Sequence, residues 1–134
     1  MKIGLLEDNP AVSDYLTVLL ELEGHTVEGH THGSCLLETL FPETEVRFPL
    51  PYDLILVDLV LPGKLSGLET IQAIQVRLSP AQLPLLIVTA VGPEILEEIT
   101  MKLPTMPVLR KPFRRSDLLQ MIEDLTSRHD PKDR

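Results

Sequence analysis

The chain has 134 residues, a length that suits one domain with a real core. Hydrophobic residues make up 43%, which excludes a disordered chain, and the net charge of −8 argues against a nucleic-acid-binding surface, because phosphate backbones select Lys and Arg. The single cysteine, Cys35, excludes an internal disulfide and reads as a small hydrophobe on a helix. No charged-then-apolar leader opens the sequence and no apolar run reaches about 18 residues, so a soluble, cytoplasmic protein with reduced thiols and no membrane contact is expected.

Strand-like and helix-like segments alternate along the chain. Residues 2–7 read as a first strand. Asn9 and Pro10 then supply an N-cap and a first-turn proline. Val12, Leu16, Leu19, Leu20 and Leu22 have mostly helical spacing, which stops at Gly24. His25 to His30 reads as a short second strand and Ser34 to Phe41 as a second helix. Residues 42–51 form a proline-rich loop that is expected to be ordered, because prolines lower unfolded-state entropy. Asp53 to Asp58 is the third strand. A helix follows from Ser66 to Leu78, with Leu68, Ile71, Ile74 and Leu78 on one side. Pro84 to Ala90 is the fourth strand, and Pro93 to Leu103 a helix with Ile95, Leu96 and Ile99 apolar. Met106 to Leu109 is the fifth strand. Ser116 is expected to cap a last helix whose apolar face is Leu118, Leu119, Ile122 and Leu125. The domain therefore runs over residues 1–127, and residues 128–134 read as a polar tail or the start of a linker. This order predicts an α/β fold: a doubly wound parallel sheet of five strands with five helices on both faces.

In such sheets a ligand sits beyond the carboxyl ends of the strands, where the strand order reverses. Four strand ends carry polar chemistry. The first ends on Glu7-Asp8, the third on Asp58, the fourth on Thr89 and the fifth on Arg110-Lys111-Pro112. Carboxylates this close in a low-dielectric crevice repel, so some are protonated or a cation sits among them. Mg²⁺ fits better than Zn²⁺, because no His or Cys lies at these ends. A metal, an ammonium and a hydroxyl around one carboxylate suit phosphoryl transfer, with Asp58 as the nucleophile. Each residue also has a plainer reading. Glu7 and Asp8 could lie in a solvated turn or cap a helix, Asp58 could precede a turn at Pro62, Thr89 could be an ordinary β-former, and Lys111 could belong to a charged loop. The conjunction is more specific than any member. His25, His30 and His32 read as surface or strand-end histidines, since metal clusters need convergent ligands.

Leu5-Leu6-Glu7-Asp8-Asn9-Pro10, Leu56-Val57-Asp58-Leu59-Val60-Leu61-Pro62-Gly63, Ile87-Val88-Thr89-Ala90 and Lys111-Pro112-Phe113 resemble the receiver domain of bacterial two-component response regulators. The resemblance implies the flavodoxin-like strand order 2-1-3-4-5. It implies Asp58 as phosphoacceptor, with Mg²⁺ (or Mn²⁺) held by Asp8, Asp58 and the Val60 carbonyl, and by Glu7 through water. Thr89 and Lys111 would bind the phosphoryl group, and Lys111–Pro112 would be a cis peptide. The implied donor is a histidine kinase or histidine phosphotransfer protein. A downstream protein or a second copy would bind through the fourth helix, fifth strand and fifth helix.

Two departures stand out. Val108 occupies the position, three before the lysine, where the family often has a switch aromatic. The stretch from Pro62 to Gly67 is one residue longer than the common pattern. Alongside a phosphorylation-controlled regulator without a separate substrate, two readings stay open. One is a receiver-like binding module that works without phosphorylation, kept alive by Val108. The other is an aspartyl-phosphate phosphatase, disfavoured because such enzymes usually place an acid two residues after the nucleophile, where this chain has Val60.

Overall fold

The computed structural model describes residues 1–59 and 66–127. Its five strands are β1 (Lys2–Leu6), β2 (Thr26–His30), β3 (Leu54–Val57), β4 (Leu85–Thr89) and β5 (Val108–Arg110). The helices are α1 (Pro10–Leu22), α2 (Gly33–Leu40), α3 (Gly67–Gln75), α4 (Pro93–Lys102) and α5 (Arg115–Ser127). All neighbouring strands are parallel, in the order β2-β1-β3-β4-β5.

Alternation along the strands builds two cores. Ile3, Leu5, Leu54, Leu56, Leu86 and Val88 pack with α1 and α5, while Leu6, Ile55, Val57, Leu85 and Ile87 pack with α2, α3 and α4. The handedness of parallel crossovers accounts for the split. The connection from β1 to β2 runs one way across the sheet and the next three run the other way, so right-handed crossovers put α1 on one face and α2 to α4 on the opposite one. α5 covers the rest of the α1 face. A fully buried Leu or Ile contributes about 1.5–3 kcal/mol, which makes Leu16, Leu20, Ile71, Ile74 and Leu118 the anchors of their helices.

Several predicted details differ. Leu22 is 72% exposed, because at 100° per residue it lies away from the stripe of Leu16, Leu19 and Leu20. α4 buries Ile99 and leaves Ile95, in its first turn, exposed. α3 ends at Gln75, yet Leu78 stays buried in the following turn, where its N–H reaches the Ile74 carbonyl at 2.9 Å. Ser116 does not cap α5: the Arg114 carbonyl accepts from the N–H groups of Asp117 and Leu118, so the helix starts at Arg115. β5 starts two residues later and ends one residue later than the hydrophobic run suggests, with Val108 opposite Ile87 and Arg110 opposite Thr89. Cys35 is exposed, because α2 buries Gly33, Leu36 and Leu40 and the cysteine falls off that stripe.

The proline-rich segment is ordered by its own contacts. A 3-10 turn spans Pro42–Thr44, and Glu43 and Thr44 adopt φ of 55° and 63°. Val46 and Leu50 pack onto the core and Phe48 faces solvent. Arg77 on the α3 side stacks over the Phe41 ring at 5.0 Å and donates to the Thr44 carbonyl at 2.5 Å. The cation–π contact and the charge-assisted hydrogen bond tie this segment to the body of the fold.

β1 carries a glycine at its centre because another ring occupies the space. A Cβ at Gly4 would lie 2.7 Å from Ile55 Cδ1 and 2.8 Å from Tyr52 Cδ2. Both neighbours are buried, so neither can swing away freely. Gly4→Ala is expected to destabilise the protein by about 1–3 kcal/mol, the usual cost of overpacking, read as a lower urea midpoint with an unchanged m-value.

Candidate functional site

Strand order reverses about β1, so the crevice between the carboxyl ends of β1 and β3 is where this topology leaves room for a ligand. β1 delivers Glu7 and Asp8 there and β3 delivers Asp58. Carboxylate oxygens of these three residues lie within 4.8 Å of one another. Asn9 turns the chain away immediately after, its side-chain oxygen accepting from the N–H groups of Ala11 and Val12 at 2.9 and 3.3 Å. Pro10 then opens α1.

Lys111 follows β5 and reaches across the sheet end. Its Nζ is 3.1 Å from Glu7 Oε2 and 3.7 Å from Asp58 Oδ2. Glu7 and Asp58 are buried, so the ammonium is a partner these acids need. The Lys111–Pro112 peptide is cis. The Lys111 N–H donates to the Thr89 carbonyl at 2.8 Å, which fixes the lysine's root to the end of β4. Thr89 is fully buried, and its Oγ1 accepts from the Val91 N–H at 3.3 Å, holding the first turn after the strand.

The opposite wall is α3. Ser66 and Glu69 form a reciprocal capping box at its N-terminus, through the Glu69 N–H to Ser66 Oγ at 3.2 Å and the Ser66 N–H to Glu69 Oε1 at 3.4 Å. Gly67 lies so close to the Asp58 carbonyl that a side chain there would strike the backbone of the site strand. Val60, the predicted carbonyl ligand, and residues 62–65 of the longer loop from Pro62 to Gly67 lie outside the described residues, as does the tail at 128–134.

The crowding of acids shows in the protonation of Glu7. Burial, then a hydrogen bond to Asp58 and its negative charge, push the Glu7 carboxyl up to about 7 from 4.5, against the opposing pull of Lys111. A hydrogen bond between two carboxyl groups needs one proton, and the raised pKa favours its place on Glu7. The donors are all hard oxygens, and among the described residues no histidine or cysteine belongs to the cluster. That set fits a small divalent cation such as Mg²⁺.

Sequence reasoning placed these four charged residues at matching strand ends, and the fold brings them together. Val108 pairs with Ile87 and packs as a partly buried residue against the α2–α4 core. His30 meets the strand-end half of the expectation of surface or strand-end histidines. It ends β2, but its side chain is only 8% exposed and its ring bonds to Tyr52. The His30 carbonyl accepts from the Glu7 N–H at 3.0 Å. No residue-type signal could have marked that contact, because a backbone carbonyl is the same on every residue.

Comparison with known proteins agrees with this geometry. The family model described as Response regulator receiver domain matches residues 3–123, so the chain belongs to the response regulator receiver family. It is 32% identical to the transcriptional regulatory protein CpxR homolog of Haemophilus influenzae, over 95% of this chain and 51% of that protein. It is 30% identical to the phosphate regulon transcriptional regulatory protein PhoB of Rhizobium meliloti, over 98% of this chain and 54% of the relative. The chain thus spans about half the length of these curated relatives. The receiver domain of the sensor histidine kinase PA1611 from Pseudomonas aeruginosa, solved with magnesium in its active-site cleft, superposes with a TM-score of 0.79 at 24% identity, covering 94% of this chain and 97% of that one. The activated receiver domain of Klebsiella pneumoniae RstA gives 0.77 at 20% identity, covering 94% and 98%. At these identities the two structures establish the fold alone. No helix among the described residues is long and apolar enough to cross a membrane.

The Glu7 proton makes a sign-definite prediction for the metal-free protein. A carboxyl whose folded pKa is raised contributes stability that is fully present below pH 4.5 and is lost as the pH rises through about 7. Glu7→Gln, neutral throughout, is expected to flatten the fall in urea-derived stability between pH 5 and pH 8.

Proposed function

We propose that this chain accepts a phosphoryl group on Asp58 and that the modification changes which partner it binds. The observation that carries the proposal is the convergence of Glu7, Asp8, Asp58 and Lys111 at the reversal of strand order, within 4.8 Å for the acids and 3.7 Å from Lys111 to Asp58. The donor class is a histidine kinase or histidine phosphotransfer protein, as the family implies.

In the proposed step an Asp58 carboxylate oxygen attacks phosphorus. The new O–P bond forms as the bond to the donor's nitrogen, or to the acyl oxygen of a small-molecule donor, breaks, and the leaving group takes the electron pair. Asp8 and Asp58, with Glu7 through water, would hold Mg²⁺ (or Mn²⁺), and such an ion would supply charge neutralisation for the phosphoryl oxygens. Lys111, now shared between Glu7 and Asp58, turns to the phosphoryl group and balances its added charge. Thr89 would turn its hydroxyl hydrogen to a phosphoryl oxygen, and that movement of Oγ1 would weaken the bond it accepts from the Val91 N–H and free the turn after β4 to move. That motion is the proposed signal. Val108 lacks a ring to swing in response, so the surface built from α4, β5 and α5 would report through backbone shifts rather than an aromatic flip. That surface is the proposed docking site for a downstream protein or a second copy, with no direct contact to nucleic acid. Catalysis is confined to the chain's own phosphorylation and dephosphorylation, in the cytoplasm.

Acetyl phosphate with Mg²⁺ provides the test. Intact-mass spectrometry is expected to show one phosphoryl adduct, absent in Asp58→Asn and without divalent cation. Lys111→Ala is expected to slow adduct formation by about 10²-fold, the scale for losing a preorganised charge at a developing anion. No adduct from acetyl phosphate or phosphoramidate would sink the proposal and favour a binding module that works without phosphorylation.

A further inference from the structure

One hydrogen-bonded chain outside the acidic cluster is not used by the proposed reaction. The Tyr52 hydroxyl is 2.6 Å from Glu28 Oε1 and 2.6 Å from His30 Nε2. The ring sits edge-on to His30 with centroids 5.9 Å apart, and Tyr52 is only 3% exposed. Proton bookkeeping fixes the direction. The phenol donates to the carboxylate, so its oxygen accepts and His30 Nε2 carries the hydrogen. Burial agrees with this, since it holds His30 towards its neutral form against the pull of Glu28, and holds the Tyr52 proton on.

Three strands meet in this chain. Glu28 and His30 lie on β2, an edge strand whose only neighbour among the described residues is β1. Tyr52 precedes β3 and crosses the notch that Gly4 leaves in β1. Its own root is fixed, because the Asp53 N–H donates to the Lys2 carbonyl at 2.7 Å and the Asp53 carboxylate accepts from the Lys2 N–H at 2.8 Å. The far end of the chain touches the site: the His30 carbonyl accepts from the Glu7 N–H at 3.0 Å.

We infer that Tyr52 is a positioning residue for the acidic cluster, clamping the end of edge strand β2 so that the His30 carbonyl fixes the backbone of Glu7. The inference rests on the proposed reading of that cluster as a cation and phosphoryl site. It also gives the proline-rich segment before Tyr52 a mechanical route to the site, because residues 42–51 end where the clamp begins. An edge strand has ladder bonds on one side only, so a side-chain tie near its last residue matters more there than in the middle of a sheet.

Tyr52→Phe keeps the ring over Gly4 and removes only the hydroxyl. In this 134-residue chain without added metal, amide hydrogen exchange at Glu7 is expected to quicken about fivefold, the scale of one lost net hydrogen bond. The Asp58 amide, bonded to the Leu6 carbonyl on the β3 side, serves as the control and should not change. In a MgCl₂ titration followed by NMR, the dissociation constant is expected to rise about tenfold, as for groups that orient metal ligands. His30→Gln keeps a donor near the Nε2 position and should behave like wild type, whereas His30→Leu should behave like Tyr52→Phe. An unchanged Glu7 amide overturns the inference. So does equal quickening at Asp58, which would mean general destabilisation, and so does an unchanged Mg²⁺ affinity beside a loosened Glu7. If the wild-type chain takes up no Mg²⁺, the reading of the cluster fails, and the Glu7 amide alone decides the role of Tyr52.

Discussion

Mutual repulsion of carboxylates at the end of a buried sheet is the constraint around which this molecule is arranged. Glu7 and Asp58 are out of water and close to Asp8. Two responses meet that repulsion: burial and Asp58 push the Glu7 carboxyl up to about 7, and Lys111 supplies an ammonium. In the proposed reaction both partners are provisional, because a divalent cation would displace the proton and a phosphoryl group would take the ammonium. A site held together by exchangeable partners can exist in more than one state, which a purely structural ion pair cannot do as readily.

Topology decides where this happens. Right-handed crossovers and the reversal about β1 leave one crevice at the carboxyl ends of β1 and β3, and the acids lie at those ends. The walls are close-fitting backbone rather than mobile side chains. Gly67 presses on the Asp58 carbonyl, the Lys111 amide is bonded to Thr89, and the Glu7 amide is bonded to His30. Small displacements at Asp58 would therefore pass to α3, to the turn after β4 and to the end of β2. Under the proposed function, with Val108 in place of a ring, the turn held by Thr89 is the element that would carry a signal towards α4.

Much of this was legible in the residues. All five helices were expected, four of them from apolar positions, and apolar runs ending in Glu7-Asp8, Asp58, Thr89 and Lys111 located the site edge. The errors share a cause. Ser116 looked like a cap, but the Arg114 carbonyl takes that role. Met106 looked like a strand residue, but its N–H bonds the Leu103 carbonyl in a turn. Cys35 and Leu22 looked apolar enough to bury, yet face solvent because burial is set by angular position on the helix. In each case residue type was read correctly and its local geometry was not.

Residue types by themselves determined that this is an alternating α/β chain with acids, a hydroxyl and a lysine at four strand ends, because periodicity and strand-terminal chemistry are local properties of sequence. Only the tertiary structure decided the distances: that Lys111 spans Glu7 and Asp58, that Glu7 holds its proton to about 7, and that Tyr52 reaches His30 and Glu28 across Gly4. These depend on burial and on contacts between residues as far apart as 104 positions, and neither quantity is written at any single position of the chain.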